Sequence, residues 1–262
     1  MRFAVLVKQV PDTRTVRMDE KTGTVVRDGS EAVVNPLDLY ALKAALMLKG
    51  EGDSVTAISM GPQTAETALK EAMALGADEA VLICDRAAAG SDTMATSKIL
   101  AAALRKCGPF DVIFTGERAT DGDTGQVGPE IASALGCGLV TYANSVKLAE
   151  GGLEIGRKTE NENERWLAKM PVLVSATKAI GEIGLPTLEG KKAARRRSVP
   201  VMTVADLGLK PDEVGLNASP TRVVKIFHPS IGRKGTRLEV VDEKTLDQAV
   251  DKMVDFIKGG AK

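Results

Sequence analysis

Residues 111–136 read DVIFTGERATDGDTGQVGPEIASALG. Residues 111–115 are mostly apolar and of strand length, residues 116–125 are rich in glycine and aspartate, and a helix begins near Gln126. A strand that empties through glycines onto a helix N-terminus offers unpaired backbone N–H groups and the positive end of a helix dipole. That combination suits an anionic group such as a phosphate. Gly116, Gly122, Gly125 and Gly128 let the backbone approach a ligand or adopt positive φ, and Thr120 and Thr124 add hydroxyl donors. Asp121 and Asp123 would repel a bare phosphate unless they face ribose hydroxyls, cap the helix or turn to solvent. The same residues also suit an ordinary βα turn, and their spacing matches neither the dinucleotide fingerprint nor the P-loop.

The flanking chain says what kind of sheet this unit belongs to. Residues 3–10, FAVLVKQV, form a continuous apolar run with Lys8 near its exit, as expected of a central parallel strand. Residues 11–34 suggest a small hairpin, with Val16 and Met18 facing Val25 and Val26 across a turn at Lys21, Thr22 and Gly23. Asn35 and Pro36 suit the N-cap and first position of a helix with Leu39, Leu42, Ala45, Leu46 and Leu48 on its apolar face. Strands at 54–59 and 79–84 alternate with helices at 65–75 and 92–106, the first strand leading into Met60-Gly61-Pro62. This alternation predicts the α/β class, a doubly wound, mostly parallel sheet with right-handed crossovers.

In such sheets ligands sit beyond the C-terminal strand ends where strand order reverses. If the first strand and the 111–115 strand are neighbours there, Lys8, Asn35, Met60, residues 91–96 and residues 116–128 meet at one crevice. From residue 139 the pattern changes to antiparallel strands at 139–148, 153–158 and 165–177. A glycine-broken loop at 180–190 leads into the basic run KKAARRR, and an amphipathic helix spans 243–258. The expected division is a nucleotide-binding domain over 1–192 and a C-terminal arm over 193–262 that packs on another subunit.

Composition removes several function classes. Lys+Arg and Asp+Glu both number 35, so no general field favours nucleic acid or an acidic membrane. Aromatic residues are only 3% of the chain, too few for a row of base-stacking platforms. No apolar run has the length of a membrane span, and MRFAVLVKQV is too strand-like for a signal peptide. Cys84, Cys107 and Cys137 are far apart and odd in number, which suits buried thiols in a reducing cytoplasm better than a disulfide framework or metal site. The single histidine, His228, has no metal-ligand cluster and no nucleophile motif beside it, so it is expected at a surface or interface.

The chain resembles the β subunit of electron transfer flavoprotein essentially end to end. The resemblance rests on VKQVPDT at 7–13, NPLDLYAL at 35–42, SMGP at 59–62, GADEAVLICDR at 76–86 and SDTMATS at 91–97. It is strongest in ATDGDTGQVGPEIA at 119–132 and LPTLEGKKAARRR at 185–197. It implies a Rossmann-like sheet of the adenine nucleotide alpha hydrolase kind, and a heterodimer with an alpha subunit that carries the electron-transferring FAD. In one branch the β subunit holds a structural AMP and electrons pass from acyl-CoA dehydrogenases to a quinone reductase. In the electron-bifurcating branch it holds a second FAD and takes hydride from NADH. One electron of each pair then goes towards the alpha-subunit FAD and one towards a low-potential acceptor such as ferredoxin or flavodoxin.

The short DGDT-x-QVGP loop looks like the bifurcating branch, with Gly125 a departure where that pattern has alanine. By resemblance, Leu6, Lys8, Asn35, Asp38 and Met60 approach the adenosine or the groups next to it. Gly116, Ala119, Thr120, Asp121, Gly122, Asp123, Thr124, Gly125, Gln126, Val127 and Gly128 hold ribose and phosphate, and Thr93 and Thr96 face the flavin half. Leu185, Pro186 and Leu188 match the loop that engages the dehydrogenase. The basic run at 191–197 either helps hold an anionic partner or the flavin domain, or is a solvated face. No catalytic acid or base is expected in an electron carrier, since the redox chemistry belongs to the cofactor. Two rivals share the sheet. A nucleotide hydrolase would need a Gly/Ser pyrophosphate motif near the first strand, which VKQVPDT lacks, and a stress-type nucleotide-binding module would not need the C-terminal arm.

Overall fold

The structure is a computed structural model that describes residues 1–12, 17–18, 25–26, 32–224, 235 and 237–259. It divides into two compact units, Met1–Val224 and Lys225–Lys262. In the first unit, β1 (Arg2–Leu6), β2 (Gln9–Pro11), β3 (Arg17–Met18), β4 (Val25–Val26) and β5 (Ala32–Val34) precede α1 (Pro36–Leu48). Then come β6 (Ser54–Met60), α2 (Glu66–Leu75), β7 (Glu79–Ile83), α3 (Thr93–Cys107), β8 (Val112–Gly116) and α4 (Val127–Leu135). The remainder is β9 (Gly138–Ala149), β10 (Gly152–Lys158), β11 (Asn163–Ala168), β12 (Val172–Ala176), α5 (Leu188–Arg196), β13 (Val201–Met202) and α6 (Gly215–Ala218).

Among the described residues one sheet has nine strands in the order β11-β10-β9-β12-β8-β1-β6-β7-β13. From β9 to β13 neighbouring strands run parallel, and β10 and β11 extend the β9 edge antiparallel. The expected α/β, doubly wound, mostly parallel sheet is therefore present. Strands β1, β6, β7, β8 and β12 are nearly continuous buried runs because both faces are covered. On β1, Phe3 and Val5 join a core with Leu42, Leu69 and Phe114 on the α1 and α2 side. Ala4 and Leu6 join the opposite core with Ile58, Ile99, Ile113 and Ile131 on the α3 and α4 side.

Three sequence expectations change. The 3–10 run is two strands, because the chain leaves the main sheet after Leu6 and Gln9–Pro11 pairs antiparallel with Ala32–Val34. The 165–177 segment is also two strands. Its second half, Val172–Ala176, is buried along its whole length and returns to the middle of the sheet, parallel to β8 and β9. Only a strand apolar on both faces can occupy that position, whereas β11 has mostly exposed residues and stays at the edge. Residues 193–224 lie within the first unit rather than in an arm, since β13 adds to the edge of β7 and the Lys70 ammonium on α2 reaches the Ala194 carbonyl on α5 at 3.1 Å.

The expected hairpin is represented by Arg17 pairing with Val26 and Met18 with Val25. Its turn at 21–23 lies outside the described residues, as do His228 and, apart from Gly235 and Arg237, the basic stretch at 232–237. In the second unit α7 (Glu243–Gly259) is capped by Asp242, which accepts from the Thr245 N–H at 2.8 Å. All three cysteines are free. Among the described residues no helix is long and apolar enough to cross a membrane, and no cluster of three metal-ligating side chains occurs.

Candidate functional site

Strand order reverses at β1, which has β6 on one side and β8 on the other. The C-terminal ends of β1 and β8 therefore diverge, and a cleft of about 760 Å³ opens above them. Its floor is set by α1. Asn35 stands at the helix N-cap position but makes no side-chain cap. Its buried amide instead donates to the Arg118 carbonyl at 2.9 Å and accepts from the Thr120 N–H at 3.2 Å, which pins the loop after β8. Asp38, in the first turn of α1, accepts from the Lys8 N–H at 2.8 Å, with further hydrogen bonding from the Gly116 backbone and the Asn35 side chain. One carboxyl thus bridges the ends of β1 and β8. Burial is the leading influence on it and pushes its pKa up to about 7 against those hydrogen bonds.

The first wall is the loop and the start of α4. The N–H groups of Val127 and Gly128 belong to the first helical turn and have no intrahelical acceptor. Gly128 must be small, since a Cβ there would stand 3.0 Å from the Thr115 hydroxyl on β8, so the helix start lies directly on the strand. Gly125 and Asp123 both adopt positive φ, at 65° and 53°. The acidic residues that would oppose an anion are paired. Lys8 Nζ holds both carboxylate oxygens of Asp121 at 2.8 Å, and Arg118 Nε holds Asp123 at 2.8 Å.

The second wall runs from Cys84 to Thr96, at the exit of β7 and the start of α3. Asp92 caps α3 by accepting from the Ala95 N–H at 3.0 Å, so two helix N-termini open on one cleft. The Thr93 hydroxyl is engaged by Glu130 of α4 at 3.1 Å, and Ser97 donates to the same carboxylate at 2.7 Å, tying the two helices together. Arg86 lines this wall, and among the described residues its guanidinium has neither an ion pair nor a hydrogen bond. Lys8 and Arg118 are the other cations of the lining, and both are paired.

Of the residues expected at the site, Leu6, Lys8, Asp38, Met60, Thr93, Thr96, Gly116, Ala119, Gly122, Asp123, Thr124, Gly125, Gln126, Val127 and Gly128 line this cleft. Asn35, Thr120 and Asp121 stand just behind it, as the pin, its partner and the counterion of Lys8. Leu185 and Leu188 lie apart from the cleft, 93% and 69% exposed, flanking Pro186 and the Thr187 cap of α5. Sequence reading missed Asp85, Arg86 and Ser175 in the lining. Asp85 and Arg86 carried a usable signal, a charged pair at the exit of a second buried strand. Ser175 carried none, because β12 was not expected beside β8.

The electron transfer flavoprotein domain matches residues 22–207. The chain is similar to electron transfer flavoprotein subunit beta of Megasphaera elsdenii, 40% identical over 265 residues that cover 97% of this chain and 98% of that protein. It is similar to the caffeyl-CoA reductase-Etf complex subunit CarD of Acetobacterium woodii, 38% identical over 260 residues and 98% of each chain. Protein FixA of Azorhizobium caulinodans is also 38% identical, over 95% of this chain and 92% of its own.

Proposed function

This chain belongs to the electron transfer flavoprotein family, among the beta subunits, and from that premise we propose that it forms a heterodimer with an alpha subunit and holds its own FAD. In this reading the subunit receives hydride from NADH. It divides the electrons between the alpha-subunit path to an acyl-CoA dehydrogenase and a low-potential acceptor such as ferredoxin or flavodoxin. The observation that carries the choice of FAD is the extent of the cleft. Its volume of about 760 Å³ lies in the upper part of the ~300–1,000 Å³ range of small-molecule sites, and it runs from the α4 N-terminus to the α3 N-terminus.

The residues fit a dinucleotide. The Val127 and Gly128 N–H groups would meet an anion, with the buried Thr115 hydroxyl, unpartnered among the described residues, beneath Gly128. Lys8 brings a cation to the same end, Leu6 and Met60 supply apolar wall, and Arg86 brings a cation to the far end. When bound, FAD supplies the hydride and single-electron chemistry; the chain binds it, orients it and sets its electrostatic surroundings. Leu185, Pro186 and Leu188 would anchor the dehydrogenase, and the setting is cytoplasmic. The second reading, a structural AMP in a carrier that feeds a quinone reductase, is favoured by the α4 cradle sufficing for one phosphate.

The test is to denature the complex with its alpha subunit and count the released nucleotides by chromatography. Two FAD and no AMP per heterodimer is the expected outcome; one FAD with one AMP would replace it by the second reading. The charge arrangement gives a further prediction. Lys8→Met leaves Asp121 bare beside the anion site, and nucleotide release should quicken roughly tenfold, equivalent to about 1.4 kcal/mol. The pair is exposed, so fold stability should change by no more than about 1 kcal/mol. Adding Asp121→Asn should recover most of the retention, measured by fluorescence of released flavin.

A further inference from the structure

The second wall of the cleft is held from behind by a distant stretch of chain. Between β7 and α3 it has no longer element than a three-residue turn at Arg86–Ala88, so its shape depends on what it leans on. Val204 N–H donates to Asp85 at 3.0 Å, and Leu216 N–H donates to the Ala89 carbonyl at 3.1 Å. The fit is close, since a Cβ on Gly215 would stand 2.1 Å from the Ala87 carbonyl oxygen. At the end of the wall, Asp92 N–H donates to the Ser219 hydroxyl at 2.9 Å. The Asp92 carboxylate then serves two elements at once. Oδ1 caps α3 through Ala95 N–H, and Oδ2 accepts from both the N–H and the hydroxyl of Thr221, at 3.0 and 2.7 Å.

We propose that Asp92 and Thr221 form a latch through which residues 203–221 position the second wall, so that this segment sets how fast the cleft releases its nucleotide. The release part rests on the nucleotide reading above; the positioning part does not. Thr221 lies three residues before Val224, where the first unit ends. Among the described residues of the first unit it is the last that hydrogen-bonds to this wall. The carboxylate is suited to the task because hydrogen bonds, first from Ala95 N–H and then from Thr221, hold its pKa below the ordinary range. It is ionised at neutral pH, and hydrogen bonds to an ionised acceptor are the stronger kind.

The test uses Thr221→Val and Thr221→Ser in the complex with the alpha subunit. Thr221→Val keeps the N–H and removes the hydroxyl. It should raise hydrogen–deuterium exchange in residues 87–96 and quicken nucleotide release roughly tenfold, the scale of losing one hydrogen bond to a charged group. Thr221→Ser keeps the hydroxyl and should behave as the parent protein in both measurements. Unchanged exchange and release in Thr221→Val would overturn the latch. So would faster exchange throughout the first unit with a lowered unfolding midpoint, which would mark Thr221 as a general stabilising residue. If the parent complex releases no adenine nucleotide from this subunit, the cofactor reading fails, while exchange in residues 87–96 still decides the positioning role.

Discussion

Gly116→Ala should empty the cleft. A Cβ at this position would stand 2.4 Å from Asp38 Oδ1, 2.8 Å from the Leu37 carbonyl carbon and 3.0 Å from the Asp38 nitrogen. None of these atoms is the free end of a flexible side chain. The Asp38 carboxyl is buried and fixed by Lys8 N–H, and the backbone atoms belong to the first turn of α1. Gly116 cannot retreat either, because it ends β8 in register with Ala176 of β12. Relief requires α1 and β8 to separate at the point where the cleft opens. Overpacking of this kind costs about 1–3 kcal/mol, and in a domain of this size each kcal/mol lowers the unfolding midpoint by about 2–4 °C. The expected measurements are a lower midpoint and loss of bound nucleotide. Gly138→Ala is the control: it lies outside the cleft, a Cβ there meets its nearest atom at 3.5 Å, an ordinary contact, and both properties should be kept. Full nucleotide content in Gly116→Ala would mean that the β1–β8 gap is not the binding floor.

Asp38→Asn should make stability respond differently to pH. The folded-state pKa of Asp38 is raised from 3.8 to about 7, chiefly by burial, with Lys8 the facing cation and Asp121 behind it. Between those values the folded protein binds a proton that the unfolded chain has released. The wild type therefore loses stability as pH rises from about 4 to about 7 and is flat in this respect above that range. Across the window each pH unit is worth about 1.4 kcal/mol. Asparagine does not titrate, and its amide can turn only one oxygen towards the N–H groups of Lys8 and Gly116, at a cost of about 1–3 kcal/mol for the donor left over. The wild type should exceed Asp38→Asn in stability at pH 5, with a margin that shrinks towards pH 8. Denaturant unfolding of both proteins across this range gives the margin directly. A margin independent of pH would show that Asp38 ionises in its ordinary range and that burial is offset by its hydrogen bonds.

The sequence by itself determined the parallel sheet, the position of α4 and the loop that opens onto it. Buried parallel strands are short uninterrupted apolar runs, and glycine before helical periodicity marks a helix entrance; both signals are local. It also identified Lys8, Met60 and residues 116–128 as neighbours, because the strand–helix alternation carries its own rule for where strand order reverses. Only the tertiary structure decided what the polar residues there do. Asn35 has the composition of a helix cap, yet it pins a loop more than eighty residues away. Asp121 looks hostile to an anion until Lys8 is seen to hold it. The second wall was the least legible part. Residues 84–92 and 203–221 carry no periodicity, and hydrogen bonds such as Val204 to Asp85 and Thr221 to Asp92 join positions more than one hundred residues apart. Such contacts form only after the chain has closed, so no local pattern of residues announces them.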